Sequence, residues 1–146
     1  AAQRPVVTHQ SGASQIDALR ANYEAAGVQA DCTPFIEDTA TAFADADIIV
    51  CRAGASTVTE IAAVGAAAIF VPFPSAVDDH QTTNAQFLVD AGGGWLVQQR
   101  DLTPEGLSQM LLKLERPALV DIALKAKNMQ KINATREVVT ACEELA

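Results

Sequence analysis

Positive charge is scarce in this sequence. Ten Lys and Arg residues stand against 18 Asp and Glu residues, which gives a formal net charge of −8 and a pI near 4.5. Nucleic acids and anionic lipids both attract basic surfaces. This balance therefore argues against a nucleic-acid partner and against a purely electrostatic attachment to a membrane.

Long apolar runs, paired cysteines and histidine clusters are also missing. No apolar run approaches the ~20 residues that cross a bilayer. Neither His9 nor His80 has a partner at metal-ligand spacing. Cys32, Cys51 and Cys142 are odd in number and widely spaced, which favours buried free thiols in a reducing compartment over metal or redox roles. No Ser/His/Asp or Cys/His set and no complete dinucleotide fingerprint is present, so we predict no metal site, no cofactor and no covalent catalysis.

The chain has the length and the pattern of an α/β domain. At 146 residues and 49% hydrophobic content it can bury one core. Strands and helices are predicted to alternate, which implies parallel pairing with right-handed crossovers. The predicted strands are 5–8, 29–35, 47–51, 67–73 and 95–99. The predicted helices are 14–26, 40–46, 57–64, 81–91, 118–130 and 135–145, and a further helix is predicted to start at 103–105. We expect one Rossmann-like domain over residues 1–146, with helices on both faces of a parallel sheet. Its first strand is expected to be missing, as in a piece of a longer two-domain chain.

The rest of the chain is arranged around residues 47–65, a buried strand, a small-residue loop and a helix. Such a loop lets a phosphate or a sugar approach backbone N–H groups at a helix N-terminus. Thr57 and Glu60 have capping-box spacing, and Gly65 predicts a left-handed helix end. Glu60 thus has two interpretations, a capping glutamate or a carboxylate that accepts hydrogen bonds from both ribose hydroxyls. The small residues at 53–55 favour the second, because a capping box does not require them.

Residues 75–84 contain a second polar cluster. Asp78, Asp79 and His80 suggest a metal or acid/base site, but adjacent carboxylates point in different directions and one histidine completes no ligand set. A solvated loop with a helix N-cap is the better interpretation. Gln81 and Asn84 lie three residues apart at the start of the next helix, where their amides could act as donor and acceptor towards sugar hydroxyls.

Five stretches together resemble the MurG family, the bacterial GT-B glycosyltransferases of peptidoglycan synthesis. The resemblance is to the C-terminal, donor-binding half of that family and covers nearly the whole chain. The stretches are HQSG (9–12), FIED (35–38), CRAGASTVTEIAAVG (51–65), FVPFPSAVDDHQTTNA (70–85) and AGGGW (91–95).

The resemblance implies a UDP-N-acetylglucosamine site without a metal. Glu60 matches the ribose-binding glutamate, the backbone of Ile36 matches the reader of the uracil edge, and Gln81 matches the glutamine that contacts the sugar. Residues 55–59 match the loop and helix start beside the sugar and the diphosphate. The implied substrate-binding set is Ile36, Ala55, Ser56, Thr57, Val58, Thr59, Glu60 and Gln81.

The resemblance also implies the reaction of the whole protein. It is the inverting transfer of N-acetylglucosamine to undecaprenyl-diphospho-N-acetylmuramoyl-pentapeptide, at the cytoplasmic face of the inner membrane with peripheral attachment. Ala53 departs from the serine common in the family. The first glycine-rich loop of this half and the whole acceptor half are expected to precede Ala1, so we predict no catalytic residue in this chain and no turnover by it alone. Two alternatives stay open: another GT-B transferase that uses UDP-N-acetylglucosamine, such as the split eukaryotic type, and a nucleotide-sugar-binding module without turnover.

Overall fold

The computed structural model describes residues 4–145, except for the side chain of Val77, and they divide into two compact units. The amino-terminal unit extends to Ala42, and the carboxy-terminal unit begins at Phe43. Each unit contains its own parallel sheet flanked by helices, which confirms the α/β class.

The amino-terminal unit is one strand–helix–strand crossover. Strands β1 (Thr8–Gln10) and β2 (Asp31–Thr33) pair in parallel and are joined by helix α1 (Ile16–Ala25). Gly27 follows the helix with a φ of +62°, a conformation in which glycine has no Cβ penalty. The first strand lies three residues later than predicted, because β2 begins only at Asp31 and gives residues before Thr8 little to pair with.

Helix α2 (Thr39–Asp45) follows and begins as the sequence predicts. The Thr41 N–H donates to Asp38 Oδ1 at 2.9 Å, and the Thr41 hydroxyl donates to Asp38 Oδ2 at 2.7 Å. These bonds to the carboxylate lower the pKa of Asp38, the backbone bond having the larger effect. Asp38 is therefore an N-cap, as expected.

The carboxy-terminal unit has a three-stranded parallel sheet in the order β3–β4–β5. The strands are β3 (Ile49–Cys51), β4 (Ala68–Phe70) and β5 (Trp95–Leu96), with Val50 beside Ile69 and Phe70 beside Leu96. Helix α3 (Ala55–Val64) connects the first two strands and helix α4 (His80–Val89) the second two. The carboxyl ends of all three strands therefore lie at one edge of the sheet.

Three further helices complete this unit. They are α5 (Pro104–Leu112), α6 (Arg116–Asn128) and α7 (Ala134–Glu144), and short 3₁₀ turns occupy Val77–Asp79 and Gln99–Asp101. Proline stands at the first position of α5, and the Gly106 N–H donates to the Thr103 hydroxyl at 3.0 Å, the start that the sequence predicts. No helix among the described residues combines the length and the apolar character that crossing a membrane requires.

Small residues and a few large apolar ones form the core of the carboxy-terminal unit. Phe70, Ile61 and Leu88 are fully buried between the sheet and helices α3 and α4. Gly93 and Gly94 lie where a Cβ would come within 2.9 Å of the Ala126 backbone and 2.8 Å of the Ala68 carbonyl oxygen, respectively. These close approaches let β5 and α6 pack tightly against their neighbours.

The three thiols are free but only partly fit the predicted burial. Burial raises the pKa of Cys51, in β3, to about 12. Cys32, in β2, is half-buried, and Cys142 is exposed. The prediction of a buried thiol is therefore wrong for Cys142, because α7 has no buried residue.

Candidate donor site at the carboxyl edge of the second sheet

The N-cap of helix α3 lies three residues before Thr57, the N-cap that the capping-box prediction requires. Gly54 is the N-cap, with extended backbone angles (φ −62°, ψ 148°), and no side chain caps the helix. Thr57 and Glu60 both lie inside the helix, so the predicted capping box is wrong. Gly54 can replace a polar cap because glycine is itself an acceptable N-cap residue. Gly65 ends the helix in the left-handed conformation (φ 78°), as predicted.

The first turn of α3 offers unpaired backbone donors. Within residues 4–145, the N–H groups of Ala55, Ser56 and Thr57 have no hydrogen-bond acceptor. Ala55 and Ser56 are exposed, so these donors are accessible from solvent. The positive end of the helix dipole lies at the same place, which suits a phosphate or another anion.

Glu60 is exposed, one turn further along the same helix. Among the described residues its carboxylate has no hydrogen-bond or ion-pair partner. Ser56 and Glu60 are four residues apart and therefore share one helix face. With the capping box absent, the carboxylate is available to a ligand.

Two members of the predicted set have little left to offer a ligand. The Val58 side chain is only 4% exposed, and its N–H donates to the Gly54 carbonyl oxygen at 3.0 Å. The Thr59 hydroxyl donates to the Ala55 carbonyl oxygen at 2.8 Å. Val58 anchors the helix to the core, while Ala55, Ser56 and Thr57 present the N–H groups.

The side chains of Gln81 and Asn84 hold the loop before α3 in place. Gln81 Oε1 accepts from the Ala53 N–H at 3.2 Å and from the Phe73 N–H at 2.9 Å. Asn84 Nδ2 donates to the Ala53 carbonyl oxygen at 3.1 Å. Both polar groups of Ala53, which is fully buried, are thereby satisfied.

These contacts restrict how Gln81 can recognise a sugar. Two backbone donors converge on one atom of its carboxamide, so that atom is the oxygen and is already engaged. The expectation that Gln81 serves as donor and acceptor at once is therefore corrected. Only the amide nitrogen is available to a ligand, as a donor.

Further bonds join the exits of the other strands. Arg52 Nη1 donates to the carbonyl oxygens of Val71 and Pro72, both at 3.1 Å, and its guanidinium lies 5.5 Å from the centre of the Phe73 ring. After β5, Gln98 Nε2 donates to the Thr82 hydroxyl at 3.1 Å. The first turn of α4 thus contacts the segments that follow β3, β4 and β5.

The Asp78–Asp79 pair is a strained turn at the start of α4. Both residues have a φ of 51°, which is uncommon for residues other than glycine. The expectation of an N-cap within residues 78–80 is met by the position of Asp79, but its carboxylate accepts from the Thr82 hydroxyl at 2.6 Å rather than from the backbone. In the part of the chain that the structure describes, no three His, Cys, Asp or Glu side chains are grouped to hold a metal.

Ile36 lies in the amino-terminal unit, in the loop after β2. Its N–H donates to Gln10 Oε1 at 2.8 Å. The neighbouring Phe35 is held by Thr33, whose hydroxyl donates to the Phe35 carbonyl oxygen at 2.7 Å and accepts from the Phe35 N–H at 3.4 Å. The Ile36 N–H therefore lies after β2 and takes part in a hydrogen bond at the protein surface.

A concavity of the amino-terminal unit lies on a different surface. It is an open groove of about 860 Å³ between α1 and the segments that lead into β1 and β2, with Val7, Tyr23 and Val28 among its lining residues. Ligands of open parallel sheets bind at the carboxyl ends of the strands. The position of this groove therefore does not support a donor site there.

Comparison with known proteins identifies the family. Residues 2–142 match the glycosyltransferase family 28 C-terminal domain. The chain belongs to glycosyltransferase family 28. A Paracidovorax citrulli protein named UDP-N-acetylglucosamine--N-acetylmuramyl-(pentapeptide) pyrophosphoryl-undecaprenol N-acetylglucosamine transferase is 78% identical over 145 residues, 99% of this chain and 41% of that protein. A Cupriavidus necator protein of the same name is 61% identical over 99% of this chain and 40% of its own length.

Solved structures agree with the family 28 assignment. The crystal structure of Acinetobacter baumannii MurG has a TM-score of 0.88 and 45% identity, over 97% of this chain and 45% of that one. The glycosyltransferase VinC, solved with dTDP, has a TM-score of 0.67 and 18% identity over 97% of this chain and 35% of its own, and shows a shared fold. The resemblance to the MurG family is confirmed. The present chain spans about two fifths of the length of the curated relatives it matches.

Sequence reasoning missed the residues that position the site. The sequence allows a sugar contact at Asn84 but predicts no positioning role, yet the amide of Asn84 holds Ala53. For Gln10 the sequence predicts no role beyond its motif. The burial of Ala53 explains the first case, since a buried peptide needs partners and α4 supplies them. The contact between residues 10 and 36 has no local sequence signal.

Proposed function

We propose that this chain is the donor-binding part of an enzyme that transfers N-acetylglucosamine from UDP to undecaprenyl-diphospho-N-acetylmuramoyl-pentapeptide, inverting the anomeric centre. The observation that carries this proposal is the start of α3, where three unpaired N–H groups lie one turn before the unpartnered carboxylate of Glu60. The partial positive charge and free N–H groups of a helix N-terminus suit a diphosphate, and a carboxylate suits the two hydroxyl donors of a ribose.

The proposed contacts to the diphosphate, the ribose and the sugar use groups that have no partner among the described residues. The N–H groups of Ala55, Ser56 and Thr57 would bind the diphosphate, and Glu60 would accept from the two ribose hydroxyls. Gln81 Nε2 would donate to a sugar hydroxyl while its oxygen keeps the Ala53 loop in place. The backbone of Ile36 would read the uracil edge.

This arrangement supports departure of UDP. As the glycosidic bond breaks, negative charge grows on the diphosphate, and preorganised N–H donors at a helix end stabilise that charge. Because Gln81 and Asn84 fix the peptide just before α3, the donors need not reorganise during the reaction. The base that activates the acceptor hydroxyl, the lipid-linked acceptor and peripheral membrane attachment belong, in this proposal, to the remainder of the protein.

Titration of Glu60→Gln with UDP-N-acetylglucosamine tests the proposal. The protein would be this chain joined to the remaining part of the Paracidovorax citrulli relative, with calorimetry as the readout. Loss of a charge-assisted hydrogen bond predicts binding weaker by roughly 1.5–3 kcal/mol. Glu105→Gln, in the first turn of α5, is the matched control. Unchanged affinity in Glu60→Gln would remove Glu60 from the ribose site.

A second assay separates the enzyme from a binding module. We expect this chain alone to show no transfer to a soluble lipid-acceptor analogue, because placing the acceptor and the anomeric carbon in line supplies ~7–11 kcal/mol of barrier reduction. Adding the remaining part of the relative in trans should restore turnover. Turnover by the chain alone would contradict this division of roles.

A further inference from the structure

The hydrogen bond between Gln10 and Ile36 lies at the surface and joins an exposed and a half-buried residue that are 26 residues apart. The donor is the backbone N–H of Ile36, and the acceptor is the carboxamide oxygen of a long side chain at the end of β1. Among the described residues, the Ile36 carbonyl oxygen accepts no hydrogen bond. The Ile36 carbonyl oxygen is therefore a vacant acceptor, whereas the Ile36 N–H is a donor that the Gln10 side chain occupies.

The loop does not depend on this bond for its shape. Beyond the paired residues of β1 and β2, the Ser11 N–H donates to the Thr33 carbonyl oxygen at 3.3 Å, and the Gly12 N–H donates to the Pro34 carbonyl oxygen at 3.1 Å. Thr33 holds both polar groups of Phe35. With the backbone fixed on each side, the Gln10 side chain can leave without carrying the loop with it.

We propose that Gln10 is an internal competitor of the nucleobase, which occupies the Ile36 N–H in the empty site and must be displaced by the base. This inference rests on the proposed role of Ile36 in uracil recognition. A carboxamide carries a carbonyl oxygen and an N–H on one carbon, the same acceptor and donor pair that uracil presents at O4 and N3. Binding thus exchanges one amide-type acceptor for another at the same N–H.

The exchange limits the affinity for uridine nucleotides. The base gains a hydrogen bond to Ile36 only by breaking the bond to Gln10, which then returns to water. Gln10 can retake the N–H as the product leaves, so the same contact would favour UDP release. The expected size is that of one net hydrogen bond, roughly two- to tenfold in an equilibrium constant.

Substitution of Gln10 tests the inference, because the competitor role predicts tighter binding of uridine nucleotides in the variant, whereas a structural role predicts weaker binding. Gln10→Leu removes the acceptor, and Gln10→Asn keeps the carboxamide but is one methylene shorter. Both should bind UDP and uridine about two- to tenfold more tightly than the unaltered protein. Gln10→Glu should bind uridine more weakly, because a carboxylate is a stronger acceptor for the Ile36 N–H. Uridine has no phosphate, so charge repulsion does not enter this comparison.

The matched control is Gln15→Leu, the same substitution at an exposed glutamine whose side chain does not cap α1. Titrations would use this chain joined to the remaining part of the Paracidovorax citrulli relative. Hydrogen exchange of the Ile36 amide provides a readout without ligand, and it should be faster in Gln10→Leu than in Gln15→Leu. Equal exchange would show that the contact is absent and would overturn the inference.

The outcomes separate this inference from the proposed function. If the unaltered protein prefers UDP to other nucleoside diphosphates but Gln10→Leu binds UDP equally or more weakly, the competitor role is wrong and the donor site stands. If the unaltered protein shows no preference for uridine nucleotides, the role of Ile36 fails, and the competitor role fails with it.

Discussion

The two units hold their strand-exit loops by different means. In the amino-terminal unit none of residues 4–42 is buried, and the Ile36 loop is held by the half-buried side chain of Thr33 and by backbone bonds from Ser11 and Gly12. In the carboxy-terminal unit the loop before α3 is anchored by Ala53, which is fully buried and bonded at both its N–H and its carbonyl oxygen.

This difference fits the chemistry proposed for each loop. Stabilising charge on a departing diphosphate requires donors whose positions do not change, and a buried anchor provides that. Recognition of a base edge tolerates an exchangeable contact, and an exposed loop provides one. We therefore expect substitutions at the residues that anchor the loop before α3 to change stability, and substitutions at the Gln10–Ile36 contact to change mainly affinity.

The largest expected effect comes from one substitution made in both units. Phe70→Ala removes a fully buried ring between β4 and its neighbours and should lower the free energy of unfolding by about 3–5 kcal/mol. Phe35→Ala removes a ring that is 65% exposed and should change it by less than ~0.5 kcal/mol. Urea unfolding followed by circular dichroism measures both. Equal destabilisation would show that buried packing contributes no more to stability in the carboxy-terminal unit than in the amino-terminal unit.

A smaller effect is expected for the two glutamines that accept from loop N–H groups. Gln81→Leu leaves the Ala53 and Phe73 N–H groups without their acceptor, and because Ala53 is buried this should cost about 1–3 kcal/mol. Gln10→Leu exposes the Ile36 N–H to water and should cost less than ~0.5 kcal/mol. The same urea series decides. A Gln10→Leu variant as unstable as Gln81→Leu would show that the amino-terminal loop depends on its side-chain bond after all.

Elements with strong local signals were predictable from the sequence. Asp38, Thr103, Gly65 and Pro104 each act through a rule that spans at most four residues, and the structure confirms each. Parallel pairing followed from the alternation of strands and helices. Strand lengths were overestimated, because a ladder extends only as far as its partner strand and apolar residues continue beyond it.

The start of α3 shows where local rules compete. Thr57 and Glu60 satisfy the capping-box pattern, but Gly54 can also cap the helix, and Ala55 and Ser56 are compatible with a first turn. The contacts from Gln81 and Asn84 fix Ala53, the residue just before the N-cap Gly54, and they join residues about 30 positions apart. Sequence spacing alone cannot choose between two acceptable caps when a distant helix decides.

The next prediction contrasts the two helix starts as pH falls. Helix α2 is capped by the Asp38 carboxylate, whereas α3 has no side-chain cap. Because hydrogen bonds from Thr41 lower the pKa of Asp38 below its unfolded value, the carboxylate stabilises α2 above that value, and this contribution is lost as pH falls through the folded pKa.

Hydrogen exchange of the Thr41 and Val58 amides, followed between neutral and acidic pH and corrected for the intrinsic exchange rate, measures this contrast. Protection of Thr41 should fall in acid while that of Val58 stays level. Asp38→Asn keeps a capping oxygen without a titrating group and should remove the pH dependence at Thr41. An unaltered acid loss in Asp38→Asn would assign the effect to another group.

The last prediction concerns the rates at which the three thiols are alkylated. These rates report how readily each unit opens and involve no change in the free energy of unfolding. Cys32 lies in β2 of the first sheet and Cys51 in β3 of the second, and exposed Cys142 is an internal reference. Burial raises the pKa of Cys51 to about 12, so at pH 8 only about one molecule in ten thousand carries its thiolate, the reactive form. Alkylation with iodoacetamide, followed by peptide mass spectrometry, should label Cys142 first, Cys32 next and Cys51 last.

Single Cys→Ser variants at 32 and 142 give the rate at each remaining site. Labelling of Cys51 as fast as that of Cys32 would mean that the carboxy-terminal sheet opens as readily as the amino-terminal one, and a rigid support for the α3 donors would then be excluded.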